Sequence, residues 1–390
     1  MATVKFIETS PYRKPKPQPP KEDYLFKKYS EDLQLESDSS NDTVVRVALF
    51  GAGRAGTIHL ASIIENPRLK LVYLVEEDSN KVSKIKKYWH LDNVTCLHPK
   101  DIDRVLADPN IDGVIVATPT FSHEEIVTRA LQAKKAVFCE KPISQERNNV
   151  MKCYETANKV GRPLFCAFNR RFDPSFGSVR ERVRKGDIGH IQTIKLTSRD
   201  SPLPSIEYLA SSGGIFNDCM VHDIDVMTWV LGEYPDRVST QAHAHIPEIK
   251  KINDYDTVAV TLHFPSGTLG MIDLSRNSSF GYDQRLEVFG PKGMIMATNE
   301  QPIHCVTSQR DLSGLNTAPI WYSFPSRYRL AYRNEMNHFV DVVLGKCASH
   351  VLPKEILAVS RIAAACEESA RTGKMVDLRW VEGELPVYQF

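Results

Sequence analysis

Gly51-Ala52-Gly53-Arg54-Ala55-Gly56 follows directly on the apolar run Val44–Phe50. Few folds accept that combination. A strand without polar alternation is covered on both faces, as the strands of parallel sheets are. The glycines then turn the chain from the strand into a helix. Gly51 makes the tight turn, Gly53 lets the backbone approach a phosphate closely, and Gly56 allows the helix to pack on the strand. An anion at the start of that helix meets free N–H groups and the positive end of the helix dipole. The segment therefore predicts a dinucleotide site.

The chain downstream fits that start. Ala55–Ile64 reads as a helix, Leu69–Val75 as a strand and Val82–Tyr88 as a helix. Asp101–Leu106 opens a further helical turn, and Gly113–Ala117 is a buried strand. Glu124–Ala133 is helical, Ala136–Cys139 is a strand, Met151–Val160 is helical and Leu164–Phe168 is a strand. Repeated strand–helix alternation predicts a doubly wound parallel sheet over residues 44–165. After about residue 190 the pattern changes. Gln192–Thr197 alternates. Asp256–Phe264 and Thr268–Leu274 flank Pro265-Ser266-Gly267, and Arg285–Phe289 and Met294–Ala297 flank Gly290-Pro291-Lys292-Gly293. These are hairpin signals, so residues 166–380 are expected to form an α+β domain with a large, mostly antiparallel sheet. Helices at about Tyr328–Leu344 and Lys354–Thr372 close the chain, the first with Met336, Phe339, Val340 and Val343 at helical spacing.

Residues 1–43 differ. Pro11, Pro15, Pro17, Pro19 and Pro20 are interspersed with Arg13, Lys14, Lys16 and Lys21, and an acidic stretch ends Glu36-Ser37-Asp38-Ser39-Ser40. Such a segment buries little apolar area and is expected to be a disordered tail. Residues 381–390 are expected to be a second, short one.

Composition narrows the function. Across 390 residues the net charge is +1, which gives no global field for nucleic acid or an anionic membrane. No apolar run approaches the roughly 18 residues that span a bilayer, and Met1–Phe6 lacks the apolar core of a secretory signal. The eight cysteines are scattered and form no C-x-x-C, which fits free thiols in a reducing, cytoplasmic compartment better than a disulfide scaffold or zinc site.

Four further features carry chemistry. Glu76 ends the second strand, where a carboxylate accepts hydrogen bonds from the adenine ribose hydroxyls and repels a 2′-phosphate. With Glu77 and Asp78 beside it, NAD is favoured over NADP. Thr118-Pro119, at a later strand end, faces the same crevice, and His123 comes next as a candidate neighbour. Glu140-Lys141-Pro142 then places a cation at the carboxyl end of a parallel strand, with a cis peptide plausible at the proline. Gly213-Gly214 precede Asp218 and His222, whose spacing of four puts both on one helix face. A histidine titrating near neutrality can accept a proton, and a nearby carboxylate would orient its ring. His222, Asp223 and Asp225 could instead ligate a metal, but no second histidine stands at metal spacing, and no metal is expected.

With these motifs the chain resembles the glucose-fructose oxidoreductase/inositol dehydrogenase family over about residues 44–380. Beyond the short motifs, the resemblance rests on Phe168–Asp173, Ser198–Asp200, Ile206–Tyr208, Ser212–Phe216 and Gly281–Gly290. Within the family it is similar to the inositol 2-dehydrogenases. The resemblance implies an N-terminal Rossmann half, NAD as cofactor, and oxidation of a secondary hydroxyl of a cyclic polyol, with myo-inositol first. It assigns catalysis to Lys141, Asp218 and His222, and cofactor binding to Gly51 through Gly56, Glu76, Thr118, Pro119, His123, Glu140, Lys141 and Arg171. It assigns substrate binding to Lys141, Asp200, Asp218, Cys219, His222 and Tyr282. It further implies a tetramer or dimer built through the C-terminal sheet. Two alternatives stay open: a dehydrogenase of another sugar or dihydrodiol, and a non-catalytic sensor of NAD and sugar.

Overall fold

The computed structural model describes residues 44–307 and 316–381. The proline-rich segment 1–43 and residues 382–390, expected to be tails, lie outside the described residues.

The first half alternates as its sequence predicts. Strands β1 (Val45–Phe50), β2 (Leu69–Val75), β3 (Thr95–Leu97), β4 (Gly113–Val116), β5 (Ala136–Glu140) and β6 (Leu164–Ala167) form one sheet in the order β3-β2-β1-β4-β5-β6. Every pairing in it is parallel. The crossovers carry α1 (Arg54–Glu65), α2 (Ser79–Trp89), α3 (Ile102–Ala107), α4 (His123–Gln132) and α5 (Arg147–Val160). The strand order reverses between β1 and β4, and there the carboxyl ends of the strands open a crevice.

The second half begins with α6 (Pro174–Arg184), whose first turn is capped by Asp173 accepting from the Phe176 N–H at 3.0 Å. After β7 (Thr193–Arg199) come the short α7 (Ile206–Ser211) and a π turn over Phe216–Met220 that runs into α8 (Val221–Leu231). The remaining elements are β8 (Arg237–His243), α9 (Pro247–Lys251), β9 (Thr257–His263), β10 (Leu269–Ser275), β11 (Asp283–Gly290) and β12 (Gly293–Ala297). Next come β13 (Val306–Thr307), β14 (Asn316–Thr317), α10 (Phe324–Arg327), α11 (Arg329–Val343), α12 (Pro353–Thr372) and β15 (Val376–Asp377). Seven strands form a mixed sheet in the order β12-β11-β7-β10-β9-β8-β15. The hairpins β9–β10 and β11–β12 fall where the Pro/Gly turns place them, and only β7–β10 is parallel. Alternation along β9 and β10 buries one face of this sheet and leaves the other open.

α11 belongs to the second half in sequence but returns to the first sheet. Phe339 packs edge-on against Phe138 of β5 at 5.5 Å and lies 6.2 Å from Phe165 of β6. Arg68 at the foot of β2 holds Asp341 at 2.5 Å, and the Asn66 amide donates to Asn337 at 2.8 Å. Phe138, Phe165 and Phe339 are fully buried, and each side chain so buried contributes about 1.5–3 kcal/mol.

Candidate active site

The glycine loop fits a dinucleotide on steric grounds. Gly51 has φ +85°, and a Cβ on it would lie 2.6 Å from the Ala117 carbonyl oxygen. A Cβ on Gly56 would stand 2.1 Å from the Gly51 carbonyl oxygen, so helix and strand meet here with no room for a side chain. Gly53 differs: nothing lies within 4 Å of where its Cβ would be, which is the open side a phosphate needs. No side chain caps the N-terminus of α1, so its first N–H groups face that space, beside Ala52, Arg54 and Ala55.

Glu76 closes the other end of the loop. Its carboxylate accepts from the Ala52 N–H at 2.8 Å, from Glu77 and Asp78 N–H at 3.0 and 3.1 Å, and from Lys81 Nζ at 3.2 Å. Burial alone would raise its pKa, but the Ala52 and Asp78 hydrogen bonds and Lys81 outweigh it and keep the group below the usual glutamate range. Glu76 thus shapes the loop as well as presenting negative charge to a ribose.

At the ends of β4 and β5 the expected residues gather, with roles that differ. His123 is 1% exposed, and its ring nitrogens lie 2.8 Å from the Thr118 and Pro142 carbonyl oxygens. It braces the two strand ends, and neither nitrogen is left for a cofactor. The Thr118 hydroxyl accepts from Ser122 Oγ at 2.8 Å, next to Pro119. Glu140 likewise turns inward: Oε1 lies 2.7 Å from Nε2 of the buried His59, and Oε2 accepts the Lys141 N–H at 3.2 Å. The Lys141–Pro142 peptide is cis.

Lys141 reaches across to the π turn. Its Nζ donates to the Asp218 carbonyl at 2.7 Å and to Asp218 Oδ1 at 3.1 Å. Tyr208 OH donates to the same Oδ1 at 3.0 Å, and Arg276 to Oδ2 at 2.8 Å. Burial works against charge on both partners. For Lys141 the Asp218 carboxylate overcomes it and lifts the amine above the ordinary lysine value. For Asp218 the two cations overcome it and hold the carboxyl down to about 2.

The expected pairing of Asp218 with His222 is not formed: the bonds of Asp218 go to Lys141, Tyr208 and Arg276, and His222 Nδ1 is buried without a partner among the described residues. The physical reason is competition: three donors, two of them cations, already occupy both Asp218 carboxylate oxygens. Burial, with the positive charges of Lys141 and Arg170, pushes His222 well below its usual pKa, so it stands as a neutral imidazole.

Arg171, expected near the cofactor, is a core residue. Its guanidinium binds both oxygens of Asp225 at 2.6–3.1 Å, Glu355 at 2.6 Å and the His350 carbonyl at 2.8 Å. Arg170 binds Asp223 at 2.7 Å. The carboxylates Asp223 and Asp225, offered by the sequence as metal ligands, are therefore paired with arginines. Asp200 is half-buried and accepts from Cys219 Sγ at 3.1 Å, and Tyr282 is 5% exposed beside Phe324 and Tyr328. Arg276, Tyr208 and His59 carry bonds in this site that single-residue motifs do not reveal. Only Tyr208, in the stretch Ile206–Tyr208, stood within a recognisable segment.

Residues 45–168 match the oxidoreductase family model for the NAD-binding Rossmann fold, and residues 176–296 match the GFO/IDH/MocA C-terminal domain. A myo-inositol 2-dehydrogenase from Thermotoga maritima is 38% identical over 302 residues, 77% of this chain and 88% of that protein. The chain belongs to the GFO/IDH/MocA oxidoreductase family. Among solved structures, a myo-inositol dehydrogenase from Corynebacterium glutamicum superposes with TM-score 0.80 at 34% identity, covering 87% of this chain and 100% of that one. A scyllo-inositol dehydrogenase from Lactobacillus casei, solved with NAD(H) and scyllo-inositol, gives TM-score 0.77 at 25% identity over 86% of this chain and 99% of that one. The fold is thus an N-terminal Rossmann sheet with a mixed C-terminal sheet, the cofactor is NAD, and the protein is an oxidoreductase. Among the described residues no helix is long and apolar enough to cross a membrane.

Proposed function

We propose that this chain oxidises a secondary hydroxyl of a cyclic polyol, myo-inositol first, to the ketone. The observation that carries the reading is Lys141, fixed by Asp218 beside a neutral His222 at the carboxyl end of the NAD-binding sheet. When bound, NAD⁺ supplies the hydride acceptor.

Two of the three Lys141 N–H donors are held by Asp218, which leaves one for the substrate oxygen. His222, uncharged, takes the hydroxyl proton. As the C–H electron pair leaves carbon, negative charge on the oxygen is met by the Lys141 ammonium. The alcohol loses one proton and one hydride, and the products are an inosose, NADH and protonated His222. Asp200, Cys219 and Tyr282 form the polyol side of the pocket in this reading.

The open face of the mixed sheet supports assembly. Met294 opposes Phe289 across β11–β12, and Phe289 and Leu269 both pair with Thr193, which aligns three exposed apolar side chains in one row. A dimer or tetramer through this face buries them, and a cytoplasmic location suits the scattered cysteines.

Initial rates of NADH formation test the reading, with myo-inositol, D-chiro-inositol, scyllo-inositol, glucose and xylose as substrates and NADP⁺ as control. Turnover of myo-inositol with NAD⁺ is expected. Turnover of another polyol alone replaces the substrate; tight NADH binding without turnover of any moves the protein to the sensor class.

A further inference from the structure

One side chain links the cofactor loop to the catalytic lysine, and it carries no catalytic or binding role in the reading of the site so far. Tyr208 lies on α7, a six-residue helix capped by the Ser205 hydroxyl, which accepts the Tyr208 N–H at 3.3 Å. Its ring is 39% exposed and faces the glycine loop. The guanidinium carbon of Arg54, in the first turn of α1, sits 4.9 Å from the Tyr208 ring centroid and 5.2 Å from that of Phe324. At its other end the Tyr208 hydroxyl is turned inward to Asp218 Oδ1 at 3.0 Å, the oxygen that also receives Lys141.

The geometry points to Tyr208 as a positioning residue that joins retention of the dinucleotide to alignment of Lys141, with Arg54 and Phe324 as its partners. The inference rests on the reading of Lys141 as the group that holds the substrate oxygen. Arg54 is the first residue of α1, directly after Gly53, so whatever holds Arg54 orders the N-terminus of that helix. Two aromatic faces from the second half do so, and they draw α7 and α10 over the loop. The hydroxyl has a separate task. Asp218 has donors on both oxygens, and the Tyr208 bond opposes rotation of the carboxylate about the Lys141 contact. Burial and the Asp218 charge push the phenol up to about 12, so it remains a donor throughout the working range.

The two tasks separate by mutation. Y208F keeps the ring and removes the donor; Y208A removes both; R54A removes the cation from an exposed position. NADH affinity is read by fluorescence titration, without any substrate, and kcat and KM with the polyol that the wild type oxidises. Y208F is expected to bind NADH within about twofold of wild type and to lose about tenfold in kcat with KM little changed, the mark of an interaction used in the transition state. R54A and Y208A are each expected to weaken NADH about fivefold, the size of a partly exposed cation–π contact. Full kcat in Y208F overturns the positioning role. NADH affinity equal to wild type in R54A and Y208A overturns the link to the cofactor, and should Y208A not fold, R54A alone decides that arm. If the wild type turns over no polyol, the substrate reading fails, while the titrations still sustain or overturn the Arg54–Tyr208 link.

Discussion

Lys141 is bound twice by Asp218, through the carbonyl at 2.7 Å and the carboxylate at 3.1 Å, so one residue fixes both the place and the charge of the amine. Its raised pKa depends on that carboxylate prevailing over burial. In Asp218→Asn the largest opposing charge is gone, and burial drives Lys141 down. The alkaline limb of kcat/KM, beyond reach in the wild type, is expected to move into about pH 8–10, with a loss of at least about tenfold at neutrality. A pH–rate profile checks this, and an unmoved alkaline limb would show that Lys141 owes its charge to another group.

His222 makes the opposite prediction at the acid end. A base works in its unprotonated form, and burial with Lys141 and Arg170 lowers its pKa well below the usual histidine value. The active form therefore persists as pH falls. For polyol oxidation, kcat/KM is expected to be level in this respect from about pH 6 to 8, with its acid limb below that window. A limb centred on the ordinary histidine pKa of about 6.5 would contradict a buried site flanked by two cations. Replacing His222 with Ala should lower kcat by roughly 10²–10⁴-fold.

Two glycines separate folding from binding. Gly53 has φ −70° and open space beside it, so Gly53→Ala is expected to melt close to wild type while its methyl obstructs the pyrophosphate and weakens NADH binding. Gly56→Ala puts a methyl 2.1 Å from the Gly51 carbonyl oxygen and is expected to lower Tm as well as NADH affinity. Scanning calorimetry and NADH titration on the two variants would show whether they differ in this way.

Glu335 on α11 is fully buried, and neither carboxyl oxygen has a hydrogen-bond partner among the described residues. Burial, helped by the charge of Glu140, raises its pKa well above the glutamate value. The folded state therefore takes up a proton that the unfolded chain gives up above about pH 4.3, and stability falls as pH rises from there toward the folded pKa. Glu335→Gln removes that dependence, so its stability relative to wild type should grow between pH 5 and 8 by up to about 1.4 kcal/mol per pH unit. Denaturant melts at both pH values measure it, and a difference independent of pH would place Glu335 in an ion pair instead.

Much of the fold was legible because its elements obey local rules. The loop Gly51–Gly56, the strand ends at Glu76 and Lys141 and both Pro/Gly hairpins lie where apolar period and turn chemistry put them. The arrangement of the site was less so. The π turn at Phe216–Met220 has no compositional mark, and the donors that claim Asp218 in place of His222, Lys141, Tyr208 and Arg276, come from elsewhere in the chain. Arg276 meets Asp218 across 58 residues of sequence, and Arg171 meets Glu355 across 184. Periodicity reads neighbours along the chain, and such contacts exist only once both sheets have formed. Arg171 and His123 carry side chains suited to binding a cofactor, and only the burial of their nitrogens shows them bound to the protein instead.

The return of α11 to the first sheet bears on how the chain is made. While the ribosome is still translating the second half, β5 and β6 are complete but Phe138 and Phe165 lack the cover of Phe339. The nascent dinucleotide half thus emerges with an apolar side bare, and it closes only when residues 329–343 have cleared the exit tunnel. During that interval the half-made protein is a natural client for chaperones, and a stop anywhere before Arg329 leaves a product that cannot bury its own surface.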